Sequence, residues 1–315
     1  MSLYLGIDTS AYTTSLAIVN HRAELVWETR RVLEVPRGER GLAQSAALFQ
    51  HVQNLPQLIA KIPMELWESV SGIGVSVTPR PVLGSYMPVF TPGYGIAASL
   101  ASGLRIPLLQ TSHQEGHLAA GIISSQLPKR SHFLAVHISG GTTELLDVRQ
   151  SEPGKLGIEI LGGTTDLHAG QFIDRIGVRL GLPFPAGKSL EGLAQQANPK
   201  AASWLPSAVR GFEVSFSGVE TAAQRLIDQK KEPSDVARAV EGCVARTMTK
   251  LIQAGLEKTG LTQVLIVGGV ASNRFIRTEL EKRVSKKAEL FWAEPDWSRD
   301  NAIGVAILTS EHLVC

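Results

Sequence analysis

Cysteine is nearly missing from this chain: Cys243 and Cys315 are the only two in 315 residues. Two thiols cannot build the disulfide framework on which small secreted domains rely, so a reducing compartment, the cytoplasm, is the expected setting. No apolar run reaches the ~18 residues that would span a bilayer, and no membrane association is expected. The first residues enter a strand pattern directly, without the charged start and apolar stretch of a signal peptide. Charge of one sign is lacking too, since Lys and Arg exceed Asp and Glu by only 31 − 29 = 2. That balance neither demands nor excludes a nucleic acid, because binding depends on a basic face rather than on the sum. Linkers and low-complexity tracts are absent as well.

What is present is 43% hydrophobic and 19% charged residues, the make-up of a soluble globular protein. The length exceeds one ordinary core and points to two domains of ~150 residues each. Residues 3–10 read as a buried strand ending in small polar residues, and residues 12–19 return as a second strand. Residues 133–148 repeat that shape around the turn Ser139-Gly140-Gly141-Thr142-Thr143, with a third strand at 157–161. One supersecondary unit recurring after about 130 residues is too long a period for a solenoid and reads as a duplicated domain. Two such turns facing one cleft would suit a polyphosphate, since each presents backbone N–H groups and hydroxyls. Between and after them, strands alternate with helices, which argues for an α/β fold. Helical periodicity covers 42–62, with Pro56 as a kink or break, and also 169–180, 235–254 and 274–284. Residues 212–218 alternate like a strand, and a last helix is expected to start at Asp300.

His113 and His117 lie four residues apart in a helix-compatible stretch. At roughly 100° per residue they share one helical face, so both imidazoles can reach one ion; two ordinary helical histidines remain the alternative. The zinc-protease pattern H-E-x-x-H is not met, because Glu115 falls two residues after His113 and points elsewhere. Gly268-Gly269-Val270-Ala271-Ser272-Asn273 ends a strand and opens a helix, a place for a nucleotide against bare backbone with Asn273 able to bond a base. Asp300 reads either as a helix cap or as the third ligand of an open metal site. Asp174, Lys188 and Glu191 read as surface charges. His137 shares a strand face with Ser139, and His168 lies at a helix start. The basic run from Arg274 to Lys287 reads as a solvated helix, with phosphate contact the lesser alternative.

Taken in order, Gly6-Ile-Asp-Thr-Ser10, Thr111-Ser-His-Gln-Glu-Gly-His117, Ser139-Gly-Gly141, Ala169-Gly-Gln-Phe-Ile-Asp174, Pro185-Ala-Gly187, Val214-Ser-Phe-Ser-Gly218, Gly268-Gly-Val-Ala-Ser-Asn273 and Asp300-Asn-Ala302 resemble the TsaD family of tRNA threonylcarbamoyladenosine transferases, formerly called glycoproteases. The resemblance covers nearly the whole chain. It implies an actin-like (ASKHA) fold of two ribonuclease-H-like lobes around a nucleotide cleft. The lobes would be residues 1–130, bearing the histidine pair, and 131–315, bearing the nucleotide turns, with the helix over 300–312 packing back on the first.

The resemblance further implies one divalent metal, iron or zinc, on His113, His117 and Asp300, with His137 at a position where some members supply a fourth ligand. The adenylate of threonylcarbamoyl-AMP, or ATP, would lie on Ile138, Ser139, Gly140 and Gly141. Asp174 would hold the ribose, with Gly187 and Glu191 near the nucleoside and Asn273 near the adenine. The implied reaction moves threonylcarbamoyl to N6 of adenosine 37 in tRNA, alongside TsaB-like and TsaE-like partner proteins. Departures from the pattern are clear. Tyr12 and Thr13 replace two acids in the first turn, Pro79-Arg80-Pro81-Val82 replaces Gly-Pro-Gly-Leu, and Glu144 replaces a glutamine. Alternatives are therefore a non-catalytic paralogue that binds nucleotide and metal as a partner subunit, or a carbamoyl or acyl transferase with another acceptor.

Overall fold

A computed structural model of the chain describes residues 2–10, 12–36, 39, 41–128 and 131–314. Ala11 of the first turn and Cys315 lie outside the described residues. The first lobe runs β1 (Leu3–Asp8), β2 (Thr13–Asn20), β3 (Leu25–Val32), α1 (Gln44–Ile59), α2 (Met64–Trp67), β4 (Val70–Thr78), α3 (Thr91–Leu104), β5 (Leu108–Ser112) and α4 (His113–Ser124). The second runs β6 (His132–Ile138), β7 (Thr143–Glu152), β8 (Lys155–Thr164), α5 (Ala169–Arg179), α6 (Gly187–Ala194), β9 (Val209–Arg210), β10 (Glu213–Val214), α7 (Ser217–Asp228), α8 (Pro233–Thr259), β11 (Gln263–Val267), α9 (Arg274–Val284), β12 (Glu289–Trp292), α10 (Pro295–Ser298) and α11 (Ile303–Val314).

The duplication read from the two hairpins is written in the sheets. The first sheet has the order β3-β2-β1-β4-β5, and the second contains β8-β7-β6-β11-β12 in the same relation, extended by β10 and β9. In both, the hairpin strands pair antiparallel and the later two join parallel. Strands β1 and β2 are buried along their whole length, because α1 and α3 cover one face of the sheet and α11 the other. Leu5, Ile7, Leu16 and Ile18 point to the α1/α3 side, whereas Tyr4, Ala17 and Val19 meet Ala306 and Ile307 of α11. In the second lobe Leu134 and Val136 of β6 pack with Phe172, Val244 and Met248, and the opposite-facing Phe133 and Ala135 pack on α4.

Helix α4 is therefore a wedge between the lobes. Leu118 and Ile122 enter the core of the second sheet while Ala119 enters the core shared with α11. A helix buried on several faces has no polar stripe to spare, and only its N-terminal turn carries chemistry. Helices α4 and α11 cross with no side chain between them: a Cβ on Gly304 would collide with the Gly116 carbonyl. That close crossing brings the start of α11 to the head of α4.

Several local expectations are corrected by packing. Helix α1 does not break at Pro56 but runs on through it to Ile59, with Leu55 and Leu58 on either side of the proline buried in the core. Strand character over 212–218 shrinks to the two-residue β10, and the chain then enters α7. Asp166 causes that switch: its carboxylate accepts from Ser215 Oγ at 2.6 Å and from the Phe216 and Ser217 N–H groups, pinning the helix start. The last helix starts at Ile303, not at Asp300.

Candidate metal centre and nucleotide cleft

Ser112 begins α4 with a reciprocal cap: its Oγ accepts the Glu115 N–H at 3.2 Å, and the Glu115 carboxylate accepts the Ser112 N–H at 2.8 Å. Glu115 is thereby committed to the helix start, which removes it from any protease chemistry. The next residue in the helix after the cap is His113, and one turn on is His117. Their Nε2 atoms lie 3.0 Å apart. Asp300 Oδ1 lies 3.3 Å from the His117 Nε2 and 3.5 Å from the His113 Nε2. The three ligand atoms form one group from two segments 183 residues apart in sequence. Asp300 is free for this because Asn301 does the capping: its Oδ1 accepts the Ile303 N–H at 2.9 Å.

The spacing can be checked against coordination chemistry. Ligand atoms held tetrahedrally at ~2.05 Å from zinc lie about 3.3 Å from one another. The three observed separations bracket that value. Without a cation, two imidazole nitrogens facing at this distance require a proton between them. Burial acts against charge on His113, but Asp8 and Asp300 outweigh it and raise its pKa to about 10. Burial and the His113 charge push His117 down, and the two histidines hold Asp300 well below the usual carboxylate range against its own burial. A preformed cationic position between two acids is a chemically sound seat for a divalent ion.

Asp8, at the end of β1, is a site residue that sequence reading missed. It is fully buried, and one oxygen lies 3.2 Å from His113 Nδ1 while the Ser10 and Ser76 hydroxyls donate to the carboxylate. An acid bonded to Nδ1–H leaves the Nε2 lone pair pointing at the centre, as carboxylate–histidine–metal arrangements require. Its signals in the sequence were an acid closing an apolar strand and its place in the Gly6-Ile-Asp-Thr-Ser10 motif, neither of which points to His113.

His137, the next-to-last residue of β6, tilts its ring toward that of His117 with centroids 4.6 Å apart. It is 1% exposed, and neither ring nitrogen has a partner among the described residues. Burial, then the neighbouring histidines, drive its pKa well below 6.5, keeping it in the neutral form that binds metals. Gly268, with φ at 98°, presses its backbone against Ile138 and the His137 ring, where no side chain would fit.

The Ser139-Gly140-Gly141 turn is shaped by its own serine, whose Oγ accepts from the Gly141 and Thr142 N–H groups at 3.2 and 3.0 Å. A Cβ on Gly140 or Gly141 would meet nothing, so the space above the turn is open. Ile138 buries its side chain in the core of the second lobe, with its carbonyl against Gly268. Asp174 accepts the Ala186 N–H at 2.7 Å and the Gly187 N–H; burial still raises its pKa to about 6. Glu191 accepts the Arg274 N–H at 2.9 Å. The Asn273 side chain is held at both ends, with Oδ1 capping α9 at Ile276 and Nδ2 donating to buried Glu241 at 2.7 Å. Each polar atom keeps one further hydrogen-bonding position, a second Nδ2–H and a second Oδ1 lone pair. Half of the basic run is paired within the fold, Arg277 with Glu281 and Arg283 with Glu279 on α9, and Lys287 beyond its end with Glu257. In the first turn, Tyr12 sets its ring edge against Phe184 of the other lobe at 5.4 Å, and Thr13 is buried.

The family model described as TsaD, tRNA N6-adenosine threonylcarbamoyltransferase, matches residues 36–307. The chain belongs to the TsaD family. A tRNA N6-adenosine threonylcarbamoyltransferase of Nitrosospira multiformis is 30% identical over 317 residues, covering 96% of this chain and 89% of the relative. One of Neorickettsia sennetsu is 29% identical over 321 residues, covering 99% and 94%. Among solved structures, component A of the Acidaminococcus fermentans (R)-2-hydroxyglutaryl-CoA dehydratase superposes with a TM-score of 0.60 at 15% identity, over the whole of both chains. Full-length HypF in its phosphate- and nucleotide-bound form gives 0.64 at 12% identity, over 99% of this chain and 46% of that one. These likenesses show the actin-like, two-lobed fold that the family and the paired sheets share. No described helix is long and apolar enough to cross a membrane.

Proposed function

We propose that this chain transfers the threonylcarbamoyl group from threonylcarbamoyl-AMP to N6 of adenosine 37 in tRNA. The observation that carries this reading is the convergence of His113, His117 and Asp300 at the junction of the lobes, beside the open Ser139 turn. The family membership supplies the reaction class. A divalent ion, iron or zinc, on these three side chains, with His137 as a fourth ligand, would polarise the carbamoyl carbonyl and gather developing negative charge.

The chain's own groups do the rest. Asp8 holds the His113 ring in one tautomer and orientation. The Ser139 turn and the Ile138 backbone receive the phosphate of the adenylate. Asp174, with Gly187 and Glu191 nearby, orients the ribose, aligning the acyl carbon for attack by the amine. In this reading residues 1–130 form the lobe carrying the histidine pair and 131–315 the lobe carrying the nucleotide turns, with α11 packed back on the first. TsaB-like and TsaE-like proteins are the partners proposed for the full reaction cycle, and the cytoplasm is its place.

The test is mass spectrometry of tRNA nucleosides from cells lacking this chain and every other family member, complemented with wild type or with His117→Ala. Threonylcarbamoyladenosine returns with the wild type and stays absent with the variant. If wild type fails to restore it, the transferase reading is wrong. One observation favours a non-catalytic partner subunit in that event: the first turn carries Tyr12 and Thr13 in place of acids, and Tyr12 packs across the cleft.

A further inference from the structure

Two departures from the family pattern meet across the cleft. Arg80 lies in the loop leaving β4, Glu144 lies at the start of β7, and their side chains pair at 2.7 Å between the lobes. Gln114, next to His113, donates from Nε2 to the other Glu144 oxygen at 2.6 Å. Its backbone N–H donates to the Pro79 carbonyl at 3.0 Å, tying the Arg80 loop to the head of α4. The Arg80 N–H donates to Ser85 Oγ at 3.1 Å, and Thr78 Oγ1 donates to the Arg80 carbonyl at 3.0 Å. The arginine is thus fixed at its backbone and at one end of its guanidinium.

The pair is not used symmetrically. Glu144 is 5% exposed with both oxygens occupied. The Arg80 side chain is 34% exposed, and its Nε has no partner among the described residues. A guanidinium offers five N–H donors in a rigid fork, so one edge suffices for Glu144 and donors are left over. Through Glu144, one residue past Thr143 at the end of the Ser139 turn, and Gln114, next to His113, the pair ties the Arg80 loop to both the nucleotide turn and the head of α4.

We infer that Arg80 is an anion-binding residue of the cleft, positioned by Glu144 and Gln114, and that it receives the carboxylate of the amino-acid-derived acyl group of the donor. This rests on the transferase reading above. An adenylate's phosphate has the backbone of the Ser139 turn. The carboxylate at the far end of the acyl group needs a cation once it leaves water; Asp8 and Asp300 are acids and already hold His113 between them, which leaves Arg80 as the cation with donors to spare.

The test uses the full chain and two hydrolysis-resistant analogues of threonylcarbamoyl-AMP, one bearing the carboxylate and one with that carboxylate reduced to an alcohol. Dissociation constants come from calorimetry, with thermal melts to verify folding. Wild type is expected to prefer the carboxylate analogue about ten- to a hundredfold, the range of a charge-assisted hydrogen bond. Arg80→Gln should erase that preference, Arg80→Lys should keep part of it, and Glu144→Gln should reduce it. Should Arg80→Gln retain the preference, or weaken both analogues equally, Arg80 merely ties the lobes together and the inference fails. If wild type binds both analogues equally well, the carboxylate assignment alone falls. Binding of neither overturns the transferase reading and this inference with it.

Discussion

Asp174 is the residue where stability and proposed function pull in opposite directions. Burial raises its pKa from 3.8 to about 6 even though two backbone N–H groups favour its ionised form. Below about pH 4 both folded and unfolded chains hold the proton and nothing is lost. Between pH 4 and 6 the unfolded chain ionises first, so the folded state weakens as pH rises, and above 6 the loss is complete. The ceiling on that loss is about 3 kcal/mol, and the partial exposure of the carboxyl leaves about 1–2 kcal/mol after solvent screening. Asp174→Asn removes the ionisation while keeping an oxygen for the Ala186 N–H. The melting temperature of the variant relative to wild type should therefore climb by roughly 2–8 °C between pH 4 and 7.5. Glu241, raised by burial to about 7, titrates in both proteins and cancels in the difference. The same variant should bind AMP about tenfold more weakly, having lost a charged acceptor for the ribose hydroxyls. A pH-independent difference would refute the burial argument, and unchanged AMP affinity would refute the ribose role.

Asp8→Asn should lower zinc affinity about ten- to a hundredfold, measured by competition with a chromophoric chelator, because the group that orients His113 is altered while no ligand is removed. Affinity equal to wild type would leave Asp8 a purely structural residue. His137→Leu should raise the melting temperature in the presence of chelator, since two buried ring nitrogens without partners cost about 1–3 kcal/mol, yet weaken zinc binding. Stability lost in chelator together with unaltered zinc affinity would show that His137 is neither an unsatisfied group nor a ligand.

Much of the fold could be read locally. The two hairpins, the helix over 274–284 and the buried strand at 264–267 are set by period and by the glycines and prolines that bound them. What escaped were features decided at long range. Helix α7 hid behind the alternation of Phe212, Val214 and Phe216, and only the distant Asp166 stops that strand and starts the helix. The shared face of His113 and His117 followed from helical spacing. No spacing rule could bring Asp300 to them, because it depends on the bare crossing of Gly116 and Gly304. Asp8 looked like a strand end, and Arg80 and Glu144 looked like isolated substitutions until the lobes were set side by side. Asn273, chemically able to bond a base, also braces α9 and Glu241, a second role that only the folded chain displays.

The account stands on one cation held where the lobes meet. Metal content of the purified full-length chain, by inductively coupled plasma mass spectrometry after reconstitution with iron or zinc, tests that directly against His117→Ala. One ion per wild-type chain and almost none in the folded variant is the predicted outcome. Equal content in the two proteins would contradict it.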